Sequence, residues 1–266
     1  MMLALNECAY LFFQIPQFNV YETKHFTFYC IPNSSVEKDI KKISHNSELA
    51  VNWFENYMNM VIDLKIDTYL FDSKKNSVYQ SYLNNIDIEL TAANIRGVIH
   101  FYYDFVNYNA EKAGSIILHE ACHLIQFIKL YLYNAGIYEG HAHLIESLYF
   151  INKTENNLIT EKAFLEYLKI HHFSKININD FLPHKLFSLS YNEFQKFENP
   201  GDQKKITLQY EISASFIALL IDQYGIEKLK SWFYYTNKDN FKSTFKKNYT
   251  ISFQNFEKIW LNKILN

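Results

Sequence analysis

The stretch from Ala113 to Phe127, AGSIILHEACHLIQF, constrains the fold of this chain more than any other segment. Apolar residues recur through it at helical spacing, so we expect an amphipathic helix with one face in the core. Within this motif helix, residues 119–123 read H-E-A-C-H. Because residues four apart lie on one face of a helix, His119 and His123 can both approach one metal ion. Glu120 lies one position further round, where its carboxylate can take a proton from a water beside the metal without being a ligand.

A zinc ion in a hydrolytic site takes three protein ligands and a water, so a third ligand is needed. Glu139 is the best candidate, at the start of the next predicted helix and after a turn short enough to fold that helix back antiparallel to the first. Gly140 beside it would allow close approach to the motif helix. His143 is an alternative ligand, and either Glu146 or His143 could hydrogen-bond a ligating imidazole. We expect His141 to be exposed, and an acid at a helix N-terminus is also favoured without any metal.

Before the motif helix, the sequence predicts a small twisted sheet with a helix packed on it. Three segments rich in β-branched and aromatic residues predict strands: 24–31, 66–71 and 97–103. Ser34 or Ser35 can cap a helix that runs to about Met60, and a short helix is expected around Val78–Leu83.

From the motif helix onward, the sequence predicts an almost entirely helical chain. Asn109 is a suitable N-cap for the motif helix, which we expect to continue to about Tyr133 and to end at residues 134–136. Further helices are predicted from residue 139 and over residues 160–171, 180–197 (one or two short ones), 206–224, 226–235, 240–246 and 252–265. This order predicts one α+β domain over residues 1–266, with a sheet-containing part at 1–110 and a helical part at 111–266.

Charge and cysteine content argue against several classes of protein. The formal net charge is -2, the pI is near 6.6, and no run of basic residues suggests nucleic-acid binding. The three cysteines are too few and too scattered for a disulfide framework or a thiolate zinc site. No segment is long and apolar enough to suggest a transmembrane helix, and the N-terminus is a poor signal peptide. Cytoplasm is therefore the default expectation, an extracytoplasmic location stays open, and the oligomeric state is not predicted.

An H-E-x-x-H motif followed at short spacing by E-G-x-A resembles the gluzincin branch of zinc metallopeptidases, and more narrowly the bacterial peptidase MA-like domain proteins. The resemblance covers most of the chain: residues 22–29 look like the opening strand of that family, 210–225 like a later helix, and 252–264 like its closing helix. The chain departs from the family pattern at Ile137-Tyr138, where a small or polar residue usually follows a Trp-bearing segment. It also lacks a recognisable form of the export or lipoprotein signal that the family often carries.

This resemblance implies a zincin-like fold and a zinc-dependent peptidase that acts on a peptide or protein substrate. The implied Zn²⁺ ligands are His119, His123 and Glu139. Glu120 would be the general base, and Tyr210 would donate a hydrogen bond to the oxyanion. The strand at 97–103 would lie beside the cleft and could pair with an extended peptide.

Two other functions stay open at this point. The first is a non-catalytic zinc-binding or interaction protein that retains the zincin fold. The second is a metallohydrolase that cleaves a non-peptide amide. The first 20 residues are apolar and are a candidate cover for the cleft.

Overall fold

The structure, a computed structural model, describes residues 17–73, 92–95, 97–130, 134–155, 160–171, 178–189, 193, 203–234, 236–237 and 239–265. Two predictions concern other residues: the helix around Val78–Leu83 lies outside the described residues, and so does most of the N-terminal segment suggested as a cover. Within the described residues the chain is α+β, with a small N-terminal sheet followed by a mostly helical half, which confirms the predicted fold class.

The described residues form five strands and nine α-helices in the following order. The strands are β1 (Asn19–Glu22), β2 (Phe26–Cys30), β3 (Ile66–Phe71), β4 (Ala92–Ile95) and β5 (Val98–Tyr102). The helices are α1 (Ser35–Met58), α2 (Ala110–Lys129), α3 (Ala135–Glu155), α4 (Glu161–His171), α5 (Pro183–Leu186), α6 (Gln203–Tyr224), α7 (Ile226–Phe233), α8 (Phe241–Tyr249) and α9 (Phe253–Leu265). Two 3-10 turns, Tyr103–Val106 and Ile178–Phe181, precede α2 and α5.

The five strands make one mixed sheet in the order β1-β2-β3-β5-β4. The three inner strands are parallel, whereas β1 and β4 pair antiparallel to their neighbours. The expectation that strand 97–103 pairs with a peptide is wrong, because β5 already pairs with β3 on one side and with β4 on the other. In the described sheet the edge strand on that side is β4, which the sequence did not predict.

Helix α1 begins and ends where capping chemistry predicts. The Ser34 hydroxyl accepts a hydrogen bond from the Glu37 amide at 3.2 Å, and the Asp72 carboxylate accepts from the Ser35 amide at 3.0 Å. These oxygens satisfy amide groups that have no partner inside the helix. The C-cap residue, Asn59, has a left-handed backbone with φ 45°. Because Asp72 directly follows β3, this cap also fixes the helix against the sheet.

One side of the sheet buries an imidazole among aromatic rings. His100, on β5, stacks on Tyr69 of β3 with ring centroids 5.6 Å apart and on Phe71 with centroids 6.2 Å apart. Its side chain is fully buried, and burial lowers its pKa to about 4. The folded chain therefore holds this imidazole neutral at neutral pH.

We expect replacement of His100 by Phe to reduce the loss of stability in acid. The pKa of His100 is about 4 in the folded chain, against 6.5 for an unperturbed histidine, so as pH falls the unfolded chain takes up the proton first. The stabilisation is complete above pH 6.5 and is lost towards pH 4, with an upper limit of about 3 kcal/mol. Urea unfolding at pH 7 and pH 4.5 measures the free energy of unfolding. Equal pH dependence in wild type and His100→Phe would contradict this prediction.

The helical half is organised by close contacts along α3. A Cβ atom added at Gly140 would lie 2.4 Å from Ser213 Cβ and 2.7 Å from the Ser213 carbonyl carbon on α6. Gly140 therefore allows α3 to pack closely against α6. The expectation that it allows close approach to the motif helix α2 is wrong. A similar contact joins Gly114 of α2 to Asn46 of α1. None of the helices in the described ranges is long and apolar enough to cross a membrane.

The Gly140→Ala variant should lower the free energy of unfolding by about 1–3 kcal/mol, because the added methyl group has no space between the two helices. Thermal unfolding followed by circular dichroism gives the loss. The Ser213→Gly variant removes the nearest atom but leaves the backbone of α6 in place. The double variant should therefore lose less stability than the sum of the two single variants. Strictly additive losses would show that the two positions do not contact each other.

Candidate metal centre

Helix α2 places the two histidines near its middle. The Asn109 side chain accepts hydrogen bonds from the Glu111 amide at 2.9 Å and from the Lys112 amide at 3.1 Å, so Asn109 is the N-cap that the sequence predicted. The helix is followed by Leu130 as its C-cap, which is earlier than the predicted end near Tyr133. Residues 131–133 lie outside the described part of the chain.

Helix α3 begins at Ala135, four residues before the predicted start, and so Glu139 lies in its second turn. Asn134 had been expected to end the preceding helix. Instead, its side chain accepts a hydrogen bond from the Ile137 amide at 3.1 Å and donates to the Phe187 carbonyl at 2.6 Å. Asn134 thus caps α3 and attaches its first turn to the segment after α5.

The side chains of His119, His123 and Glu139 converge between α2 and α3, which run antiparallel. Glu139 Oε2 lies 3.1 Å from His123 Nε2 and 3.6 Å from His119 Nε2. One donor atom from each residue lies within 4.8 Å of the others. Two atoms that are each about 2.0–2.1 Å from a tetrahedral zinc ion are about 3.3 Å apart, and both measured distances are close to that value. The three residues therefore fit one metal ion, and His143 does not belong to this group.

The charges around the three residues favour an ionised carboxylate. Burial alone would raise the pKa of Glu139, but its interactions with His123 and His119 outweigh burial and hold the pKa below its ordinary value. Burial alone would lower the pKa of His119, but interactions with the carboxylates of Glu139 and Glu146 hold it well above its ordinary value. A divalent cation can take the place of a proton between the ionised Glu139 and the two imidazoles.

Glu146 orients the ring of His119. Its Oε2 atom lies 3.0 Å from His119 Nδ1, so a proton on Nδ1 can be donated to the carboxylate and the lone pair of Nε2 is directed at the site. Interaction with His119 outweighs the effect of burial and lowers the pKa of Glu146, which keeps this acceptor ionised. The sequence had left Glu146 and His143 as alternatives for this role. In the structure, Glu146 is the residue that is hydrogen-bonded to His119.

Glu120 and Tyr210 are the other two residues that the sequence predicted for the site. Glu120 is half-buried, and burial raises its pKa above the ordinary value of a glutamate. Tyr210 lies on α6, with its ring centroid 6.0 Å from that of His143. Because His143 is one turn after Glu139, Tyr210 lies beside the face of α3 that carries the site. Its contact with an oxyanion stays a prediction.

The expectation that His141 is exposed is wrong. His141 is fully buried where α3 packs on α2, and Gln126 Nε2 lies 2.7 Å and Cys122 Sγ 3.6 Å from its Nδ1 atom. Burial lowers its pKa to about 3, so the ring stays neutral. Cys122 and Gln126 are four residues apart on a buried face of α2. Two polar residues on a buried helix face are the feature of the sequence that could have indicated a buried polar side chain packed against them.

We expect substitutions of single carboxylates to weaken metal binding to different degrees. Glu139→Ala loses a ligand and should weaken Zn²⁺ binding by more than about 100-fold, and Glu146→Gln should weaken it by about 10-fold to 100-fold. Glu111→Gln, at an exposed position of α2, is the matched control and should bind as the wild type does. Elemental analysis measures the zinc content, and competition with a chelator measures the affinity for Zn²⁺. Wild-type affinity in Glu139→Ala would exclude Glu139 as a ligand.

Comparison with known proteins does not supply a function. No protein-family model matches the chain, and a search of curated proteins finds no match either. The resemblance to gluzincins therefore depends on the sequence motifs alone.

Proposed function

We propose that this protein is a zinc-dependent, gluzincin-like peptidase, with His119, His123 and Glu139 as the zinc ligands. The observation that carries the proposal is the convergence of two imidazole nitrogens and one buried carboxylate oxygen at distances suited to one tetrahedral ion. Glu120 follows His119 directly on the same helix. The site thus contains both a complete ligand set and a separate acid–base group.

The donor set favours zinc over other common ions. Two neutral imidazoles and a carboxylate form a ligand set found in zinc hydrolases, in which the fourth position is left for water. When bound, zinc lowers the pKa of a water molecule and polarises the carbonyl group of a substrate. Magnesium and calcium prefer sites made of oxygen ligands, and this group offers only one carboxylate.

Glu120 is the proposed general base. Its raised pKa brings the carboxyl group closer to neutral pH, where one group can both accept a proton and return it. In peptide hydrolysis, Glu120 takes a proton from the attacking water and passes it to the nitrogen of the leaving amine. Tyr210, beside His143, is the proposed hydroxyl donor to the oxyanion that develops on the carbonyl oxygen.

The edge strand β4 is the proposed site for the backbone of a peptide substrate. It pairs with β5 on one side and is the last strand on that side of the described sheet. Gly97, just before β5, lies near α2, because a Cβ atom at Gly97 would lie 3.8 Å from Leu124 Cδ1. An extended peptide added to β4 would therefore lie alongside the helix that carries His119 and His123.

Substitution of Glu120 separates catalysis from metal binding. We expect Glu120→Gln to retain about one Zn²⁺ per chain and to lower the rate of peptide hydrolysis by at least about 100-fold, because the amide cannot accept a proton. A mixture of fluorogenic peptides of varied sequence serves as the substrate, and elemental analysis confirms the metal. The Glu111→Gln variant should cleave at the wild-type rate.

Two results would overturn the proposal in different ways. An unchanged rate in Glu120→Gln would remove Glu120 from the mechanism. A wild-type protein that binds zinc and cleaves none of the peptides would support the alternative, a non-catalytic zinc-binding protein.

A further inference from the structure

The two histidines of the proposed metal site are held in different ways. His119 has a carboxylate against each ring nitrogen, with Glu146 Oε2 3.0 Å from Nδ1 and Glu139 Oε2 3.6 Å from Nε2. His123 has Glu139 Oε2 at 3.1 Å from Nε2. Its other nitrogen, Nδ1, is buried and has no hydrogen-bond partner within the described part of the chain. On its Nδ1 side, therefore, no hydrogen bond from the described residues fixes the plane of this ring.

An aromatic ring packs on the face of the His123 imidazole. Tyr138 stacks face to face on His123, with ring centroids 4.1 Å apart and ring planes inclined by 11°. The ring of His119 also contacts that of His123, with an interplanar angle of 86° and centroids 4.7 Å apart. Rotation of the His123 ring about its Cβ–Cγ bond would break the stack with Tyr138.

The backbone of Tyr138 is itself held between the two helices of the site. Its amide donates to the Asn134 carbonyl at 2.8 Å, and its carbonyl accepts from Gln126 Nε2 at 3.3 Å. Asn134 is fully buried and caps α3, and Gln126 lies on α2, three residues after His123. The ring of Tyr138 thus starts from a backbone position that is fixed relative to the ligand on which it stacks.

We propose that Tyr138 is a positioning residue for the metal ligand His123: its ring sets the plane of the imidazole so that Nε2 faces the site beside Glu139. This inference rests on the metal site of the proposed function and does not depend on peptidase activity. Tyr138 occupies the position at which the sequence departs from the family pattern.

The test uses Zn²⁺ and Co²⁺ as probes with the full chain. In Tyr138→Leu, which keeps an apolar side chain but removes the ring, we expect Zn²⁺ affinity to fall by roughly threefold to tenfold. The visible absorption bands of the Co²⁺-loaded protein should shift, since they report ligand geometry. The Tyr138→Phe variant keeps the ring and should restore both the wild-type affinity and the wild-type spectrum.

A second stacked tyrosine provides the matched control. Tyr29 of β2 stacks on Tyr69 with centroids 4.5 Å apart and an interplanar angle of 14°, and β2 pairs with β1 and β3. We expect Tyr29→Leu to lower thermal stability without changing the affinity or the Co²⁺ spectrum. If Tyr138→Leu does not fold, the second measurement is an NMR spectrum of wild-type protein with isotope-labelled histidines. Stacking should then shift the ring-proton resonances of His123 upfield relative to those of His119.

The outcomes separate this inference from the proposed function. Failure of the wild-type protein to bind either ion would remove the metal site, and this inference with it. Binding by the wild type, with unchanged affinity and spectrum in Tyr138→Leu, would leave the metal site and overturn the role of Tyr138. Equal losses in Tyr138→Leu and Tyr29→Leu would also overturn it, as would His123 resonances without the upfield shift.

Discussion

The site depends on one contact between helix backbones. At Gly140, α3 lies so close to α6 that even a methyl group would meet Ser213. Glu139 is the neighbouring residue, so the position of its carboxylate is set by how closely the two helices approach. On its other side α3 is attached to α2, where Gln126 donates to the Tyr138 carbonyl. The carboxylate of Glu139 is thus held by contacts of α3 with two other helices.

The two imidazoles are oriented by different physical interactions. His119 is fixed by a charged hydrogen bond with Glu146, an interaction that acts along one direction and also favours a particular tautomer. His123 is fixed by contact with the face of Tyr138, an interaction that sets the plane of the ring and leaves the proton position open. One carboxylate, Glu139, then contacts both rings.

Regular elements were predictable because their signals are local. The apolar spacing and the Ser34 cap predicted α1, and the β-branched and aromatic run predicted β3 with its observed ends. Strand β4 was not predicted, since Ala-Ala-Asn-Ile has weak strand propensity and forms a strand by pairing with β5. The start of α3 was misplaced because Asn134 serves equally well as a cap or as a terminator.

The candidate site was predictable only in part. Helical spacing placed His119 and His123 together, and the three predicted ligands do converge. The burial of His141 and the stack on His123 depend on how α2 and α3 pack and on side-chain rotamers. Residue spacing does not encode either of these.

The contacts that place Glu139 involve only the chain's own backbone and side chains, and the helices that carry the site belong to a continuous apolar core shared with the sheet. In this respect the protein differs from small zinc domains, whose chains fold only when the ion binds. The three side chains of the candidate site are thus brought together by helix packing around a large apolar core. The free energy of binding the proposed ion would then contribute to retention of the ion rather than to assembly of the chain.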